Sequence, residues 1–504
     1  MPVLLGDDHL TLDDLDRLAG DPEAVFALSS AGRERVERAH TVVRRYAEGD
    51  EPVYGLNTGL GGNLAHRLDR AEMESFQAQM IRGRSVGVGE PLPEAVSRAA
   101  LIARAHGMAL GGTGITPAVL DLMVDLLNAG VSPVIPSRGS IGAGDLTLAA
   151  AIGLLVLGRG EAWQGGRRAP AAAMLAERGL TPVALGPKDG LSLLNTSAVS
   201  VAQGALVLAE AAHWLHLSAA VAALAFEGYA ANPSIFDPRL ADARPARAQQ
   251  RAAAWFRELL SGSSLLAPGS ARKIQDALSF RCLSQVYAAA LDALAQAREG
   301  LELELNSRSD SPLILLDDGL MLSSGNFHTP AIALAFDQLA LALCHLATIS
   351  AQRSVKLMTP ALSGLPKYLS PVGGASAGLV PMQKTIAALL GEVRLKANPA
   401  SLDAMPVSET VEDHAPQTPL TIRKLEEQLL PFGWIVAIEA LVAAQAVDLR
   451  APPALGRAAA VLMPAIRAVA PPLEEDRESG WDAAEVHRRL QDRTVIAELG
   501  GPPA

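Results

Sequence analysis

The sequence predicts a mainly α-helical protein. Apolar residues recur at spacings of three and four along much of the chain, Ala-rich stretches cover 198–231 and 434–450, and hydrophobic residues make up 49% of 504 positions against 19% charged. Small residues on several faces suit helices packed on all sides, as in the centre of an oligomeric bundle. Val36, Ala39, Val43 and Tyr46 mark one helix, and Gly49 follows as its C-terminal stop. Pro93 opens a second at a first-turn position; Val96, Ala100, Ala103 and Gly107 line its face, and Gly111-Gly112 ends it. Phe336, Leu339, Leu343 and Leu346 form the stripe of a long helix from about Pro330 to Lys356.

Charge and composition narrow the partners. A formal charge of −11 and a pI near 5.5 lack the basic footprint of a nucleic-acid binder, so none is expected. Cys282 and Cys344 are too few for a disulfide framework, and acidic residues stand where a signal peptide carries positive charge, which reads as cytoplasmic. The apolar runs Leu146–Leu157 and Leu217–Phe226 fall short of the roughly 20 residues of a membrane span, so both read as buried helices. No membrane partner is expected. Pro-rich stretches near 451–453 and 470–472 are the boundary candidates.

Gly-rich loops lie between the helices. Tyr54-Gly55-Leu56-Asn57-Thr58-Gly59-Leu60-Gly61-Gly62 sets a tyrosine among glycines that permit tight turns and close approach to a ligand. Gly139-Ser140-Ile141-Gly142-Ala143-Gly144-Asp145 runs directly into the apolar stretch from Leu146, so Asp145 is placed to cap that helix; a helix N-terminus also favours a bound or developing anion.

Five ordered segments carry a resemblance. The run from Tyr54, Leu193-Leu194-Asn195, the stretch Gln275 to Cys282, Ser323-Ser324-Gly325-Asn326-Phe327-His328, and Glu412-Asp413-His414 resemble segments of the histidine and phenylalanine ammonia-lyases, in family order. The resemblance implies one ammonia-lyase-like chain over 1–504, of the ammonia-lyase/fumarase type with a central bundle of long helices. It further implies an N-terminal region with active-site loops to about 195, the bundle over about 196–450, and a helical tail over about 451–504. A homotetramer with active sites drawn from more than one subunit is implied as well.

Roles carry over by position. Tyr54 matches the catalytic tyrosine whose phenolate removes the β-proton; a free phenol, with a pKa of about 10, needs a site that stabilises its anion. Asn195 matches an asparagine beside the prosthetic group and the amine. Arg281 matches the arginine that holds the substrate carboxylate, which suits a bidentate guanidinium. Asn326 and Phe327 fall within the matched substrate-binding stretch.

The departures bear on the chemistry. Family members carry an Ala-Ser-Gly run that cyclises and dehydrates to a methylidene-imidazolone electrophile, whereas Ala143 here is followed directly by Gly144 and Asp145. The loop is a remnant without its serine, and no cofactor and no metal are expected. Leu278 stands where the family has a second tyrosine, and Arg84 where histidine enzymes carry a histidine that contacts the substrate ring. Lys384, one of seven lysines, takes a usually apolar position and reads either as a surface residue or as a site residue. Glu412 is retained. With Arg84 and Lys384 it suits a polar heteroaromatic head group.

A quaternary nitrogen needs no electrophile, because it departs as a neutral amine once the β-proton is gone. Ergothionase, a superfamily member, works in that manner on ergothioneine. The expectation is a carbon–nitrogen lyase that eliminates trimethylamine from a histidine-type betaine, with Leu278 lining the methyl groups. Two alternatives stand: a conventional ammonia-lyase or aminomutase acting on histidine or another aromatic amino acid, and a non-catalytic homologue that binds such a ligand.

Overall fold

The computed structural model describes residues 2–7, 9–59, 65–402 and 405–501. The expected helices are present. Ser30–Glu48 is capped at its start by the Ser29 hydroxyl, which accepts the Gly32 N–H, and Gly49 closes its end. Glu94–Ala109 follows Pro93, and a helix runs Pro330–Leu357. The Ala-rich stretches lie in Ala198–Tyr229 and Thr418–Arg450. The latter begins well before the stretch read from the sequence, because it continues through Pro431. An interior proline removes one backbone hydrogen bond and crowds the preceding turn; burial of the helix on both sides of that point outweighs the loss.

The run Leu217–Phe226 is part of a much longer helix. Three helical stretches are long and apolar enough to cross a membrane by length and composition: Asp189–Tyr229, Pro330–Leu357 and Thr418–Arg450. Their most apolar windows are 94%, 61% and 89% buried within the protein, so the first and third bury most of their apolar surface in the fold, while Pro330–Leu357 leaves more of its own exposed. The length argument read from the sequence thus does not hold for Leu217–Phe226, which lies inside the 41-residue stretch Asp189–Tyr229, whereas its reading as a buried helix does.

The chain divides into two units. The first is Met1–Ala209, Ala297–Ala335 and Pro399–Arg423. All strands among the described residues lie here: a parallel pair Val3–Leu5 with Phe26–Leu28, and antiparallel pairings of Val88–Pro91 with Pro136–Arg138 and of Leu313–Leu315 with Leu320–Leu322. A small antiparallel sheet joins Ser132–Pro133, Glu161–Gln164 and Arg167–Pro170. Helices Glu94–Ala109, Pro117–Asn128 and Leu146–Val156 pack beside them around Leu101, Ile102, Leu120, Leu126 and Ile152, all fully buried.

The second unit is Glu210–Gln296, Phe336–Asn398 and Lys424–Ala504. Its centre holds an aromatic group in which Tyr229 and Phe280 stack with centroids 4.2 Å apart and Phe236 and Phe256 stack at 5.1 Å. Arg353 and Glu439, both fully buried, make two parallel N–H···O bonds of 2.5 and 2.9 Å. A third N–H of Arg353 donates to Ser279 O at 3.3 Å. That bond ties the ion pair to a short helix, Leu278–Arg281.

Candidate active site

Tyr54 sits in a turn that its neighbours shape. Asn57 Oδ1 accepts the Val53 N–H at 2.7 Å, Asn57 Nδ2 donates to Glu51 O, and Gly55 takes a positive φ of 67° that a glycine adopts without strain. Leu60, Gly61 and Gly62 of the predicted loop lie outside the described residues. Tyr54 is 38% exposed. Arg84 ends helix Arg70–Arg84 and is half-buried. Burial pulls its guanidinium below the ordinary value, and the nearby charges of Tyr54 and Glu412 push it back up. Tyr54, Arg84 and Glu412 are thus one electrostatic group in the first unit.

The shortened loop is tied down along its length. Gly142 and Gly144, with φ of 83° and 69°, bridge each other across Ala143, and Ala143 bridges His328. Gly144 N–H donates to Phe327 O at 3.2 Å, Asp145 N–H to Thr196 O at 2.6 Å, and Gln417 N–H to Ile141 O at 2.9 Å. A Cβ added to Gly142 would lie 2.8 Å from Thr418 N, and one on Gly144 would lie 3.1 Å from Asn195 Oδ1. A side chain at Gly142 would collide with backbone, and one at Gly144 would press on Asn195 and strain a positive φ. Asn195 is therefore beside the loop, as expected.

Asp145 corrects the sequence reading. It precedes helix Leu146–Val156, yet its carboxylate makes no side-chain cap there. It accepts Ser200 N–H at 2.8 Å and lies 3.0 Å from Ser200 Oγ and 3.1 Å from Ser140 Oγ, so it holds the start of helix Ala198–Tyr229 instead. Burial pushes its pKa up to about 6, with the Ser200 and Ser140 bonds opposing.

Behind Asn195 lies a buried polar network that the sequence reading missed. Asn195 Nδ2 donates to Asp310 Oδ1 at 3.2 Å, and the other Asp310 oxygen accepts Lys188 Nζ at 2.8 Å, with both charged side chains fully buried. Lys188 Nζ also donates to Thr113 O at 2.8 Å. The signal was available, since Lys188 is the sole lysine before residue 273. Arg104, held to about 10 by burial, donates to Ser192 O in the same region.

Two carboxyls here set a pH dependence. Burial raises Glu304 from 4.5 to about 7 and Asp189 from 3.8 to about 6. A carboxyl whose folded pKa exceeds its unfolded value binds its proton more tightly when folded. Its contribution is complete below about 4 and lost as pH rises through about 7. Parent protein should therefore lose urea resistance between those limits, and Glu304→Gln should lose less. Equal slopes for the two would refute the assignment to Glu304.

In the 326–328 stretch, Asn326 is exposed and its N–H donates to Ser324 Oγ at 3.0 Å. Phe327 is half-buried. His328 Nε2 lies 2.7 Å from His414 Nδ1, which joins the Ser323–His328 and Glu412–His414 segments.

The remaining site residues belong to the second unit. On helix Leu278–Arg281, Ser279 and Phe280 are buried, while Leu278 is 60% exposed and Arg281 half-buried. Residues three apart on one turn share a face, so Leu278 and Arg281 project together. Asp276 fixes the approach to this turn by accepting Asn232 N–H at 2.7 Å. Lys384 lies on helix Met382–Lys396, whose buried stripe is Met382, Ile386, Leu390 and Val393. Lys384 falls off that stripe and is exposed, so the apolar-face reading gives way to the surface one.

Among the described residues, no group of three or more His, Cys, Asp or Glu side chains is arranged to hold a metal ion. The family model for aromatic amino acid lyases matches residues 10–468.

The chain belongs to the aromatic amino acid lyase family.

Members of this family are ammonia-lyases, which break carbon–nitrogen bonds. The chain is 39% identical to a histidine ammonia-lyase of Stigmatella aurantiaca, over 97% of this chain and 96% of that one. Among solved structures it is similar to the ergothioneine-degrading enzyme ergothionase of Treponema denticola, solved with desmethyl-ergothioneine sulfonic acid. That match has a TM-score of 0.94 at 32% identity and covers 98% of this chain and 99% of the other. It is also similar to histidine ammonia-lyase from Trypanosoma cruzi, with a TM-score of 0.90 at 31% identity over 99% and 95% of the two chains. The family's mainly helical fold, expected from the sequence, is the one observed.

Proposed function

We infer that this aromatic amino acid lyase eliminates a tertiary amine from a histidine-type betaine, ergothioneine being the leading substrate, without a methylidene-imidazolone group. The observation that carries this reading is the loop. No serine stands between Ala143 and Gly144, Gly142 is packed against the Thr418 backbone, and Gly144 takes a positive φ against Asn195. The residues present do not fit the precursor of that group, so no step is derived through it. Likeness to ergothionase supports the substrate class.

In the reaction, the Tyr54 phenolate takes the proton from the substrate β-carbon. The electron pair of that C–H bond becomes the new Cα=Cβ bond, and the Cα–N bond breaks with its pair going to nitrogen. A quaternary ammonium thereby leaves as neutral trimethylamine, and Tyr54 returns its proton to solvent. Arg84, whose charge interacts with Tyr54 and Glu412, is the cation assigned to this part of the site. Asn195, held by Asp310, has its amide fixed beside the loop. Arg281 anchors the carboxylate, and Leu278, on the same turn, offers an apolar wall to the N-methyl groups. Asn326, Phe327 and Glu412 are assigned to the thione-bearing ring. The homotetramer belongs to the same proposal, and exposed Leu334, Leu341, Leu395 and Leu430 on the long helices support it.

Ergothioneine, hercynine and histidine, each incubated with the protein, test the reading. Trimethylamine and an acrylate absorbance are expected from a betaine, with no ammonia from histidine. The intact mass should equal the sequence mass. A mass short by two waters, or ammonia from histidine, would favour a conventional ammonia-lyase; betaine binding without turnover would favour a non-catalytic homologue.

A further inference from the structure

The His328–His414 pair joins two segments that no assigned role connects. The rings meet edge to face with centroids 4.9 Å apart, and one nitrogen of each lies 2.7 Å from the other. His328 is fixed through its backbone, which bridges Ala143 of the loop. Its Nδ1 is buried without a partner, so its side chain makes its hydrogen bond through Nε2. His414 stands two residues past Glu412. Before it, Ser408, Glu409 and Thr410 have φ of 54°, 56° and 68°, and reciprocal backbone bonds of 3.0 and 3.3 Å between Val407 and Glu412 close the turn. Three consecutive non-glycine residues in the left-handed region are costly and persist only where the surroundings hold them.

We propose that His328 and His414 form a clasp that positions Glu412 against the loop Ile141–Asp145, and that the clasp holds while the two facing nitrogens share one proton. This rests on the assignment of Glu412 to the substrate site. A hydrogen bond needs one donor and one acceptor. Neutral or singly charged, the pair keeps both; doubly protonated, it presents two N–H groups to each other and opens. Burial, followed by the charge of His414, holds His328 below the ordinary histidine value, which keeps the closed form at neutral pH. The charge that bears on His328 is that of His414; Glu409, Glu412 and Asp413 flank His414 in the sequence, Arg84 interacts with Glu412, and the carboxylate of Asp145, two residues past the bridged Ala143, is turned to Ser200 and Ser140. His328 and His414 are positioning residues in this account.

Hydrogen exchange of segment 405–416, corrected for its intrinsic pH dependence, together with the pH profile of ergothioneine turnover, tests the clasp. His414→Ala should lower protection about fivefold at pH 8, the weight of one neutral hydrogen bond. His414→Asn keeps an acceptor without a titrating ring, so it should retain protection from pH 8 to pH 5.5 and lose the acid limb of turnover that the parent shows. Protection unchanged in His414→Ala, or an acid limb kept in His414→Asn, which would place it on another group, overturns the proposal. If no betaine is turned over while the exchange pattern is as expected, the clasp stands and the substrate assignment falls.

Discussion

Tyr54→Phe should reduce turnover of a histidine betaine by about 10²- to 10⁴-fold, the usual weight of a positioned general base. Phenylalanine keeps the ring and removes only the phenol oxygen, so the Asn57-braced turn and the attraction between the charges of Arg84 and Glu412 are left in place. The loss should therefore fall on kcat, with binding of the betaine by calorimetry little changed. Trimethylamine release under saturating substrate is the measurement. Turnover equal to the parent's would remove Tyr54 from the reaction, and a loss confined to KM would make it a binding residue. Arg84→Met offers the contrast, because it withdraws the cation beside the phenol without touching the oxygen itself.

Asp310→Leu should destabilise the protein by about 3–5 kcal/mol, the cost of leaving a buried ammonium without its counterion. Lys188 and Asp310 are both fully buried, and burial already pulls the Lys188 pKa below the ordinary lysine value. The double replacement Lys188→Met with Asp310→Leu should recover part of that stability, since it removes the unpaired ammonium, although buried Arg104 still loses the Asp310 charge. It should not recover turnover. Asn195 has lost the carboxylate that orients its amide, and a misaimed amide beside the loop is a defect of the site rather than of the fold. Urea midpoints and trimethylamine assays on the same samples separate the two effects. Restored turnover in the double variant would show that Asp310 serves stability alone.

Much of this architecture was legible because helical periodicity is a local property. The stripe Val36–Tyr46 with its Gly49 stop, and the apolar run beginning at Pro330, needed only neighbouring residues to be read. Thr418–Arg450 was truncated in the reading because Pro431 is a local breaker whose effect is outweighed by long-range burial. The same limit explains the site. Asp145 has the position of an N-cap, and only the arrival of Ser200, 55 residues later, draws its carboxylate away. Lys188 and Asp310 are 122 residues apart, and His328 and His414 are 86 apart. Pairings of that kind leave no spacing pattern. Tyr54, Asn195, Arg84 and Glu412 were found through family resemblance, which supplies long-range placement that periodicity lacks.

The tied loop also bears on reversibility. Inserting one serine after Ala143 would shift Gly144 and Asp145 along the chain, so their bonds to Phe327 and Thr196 and the Ala143–His328 bridge would have to be remade in a new register. A longer loop therefore requires several partners to change together.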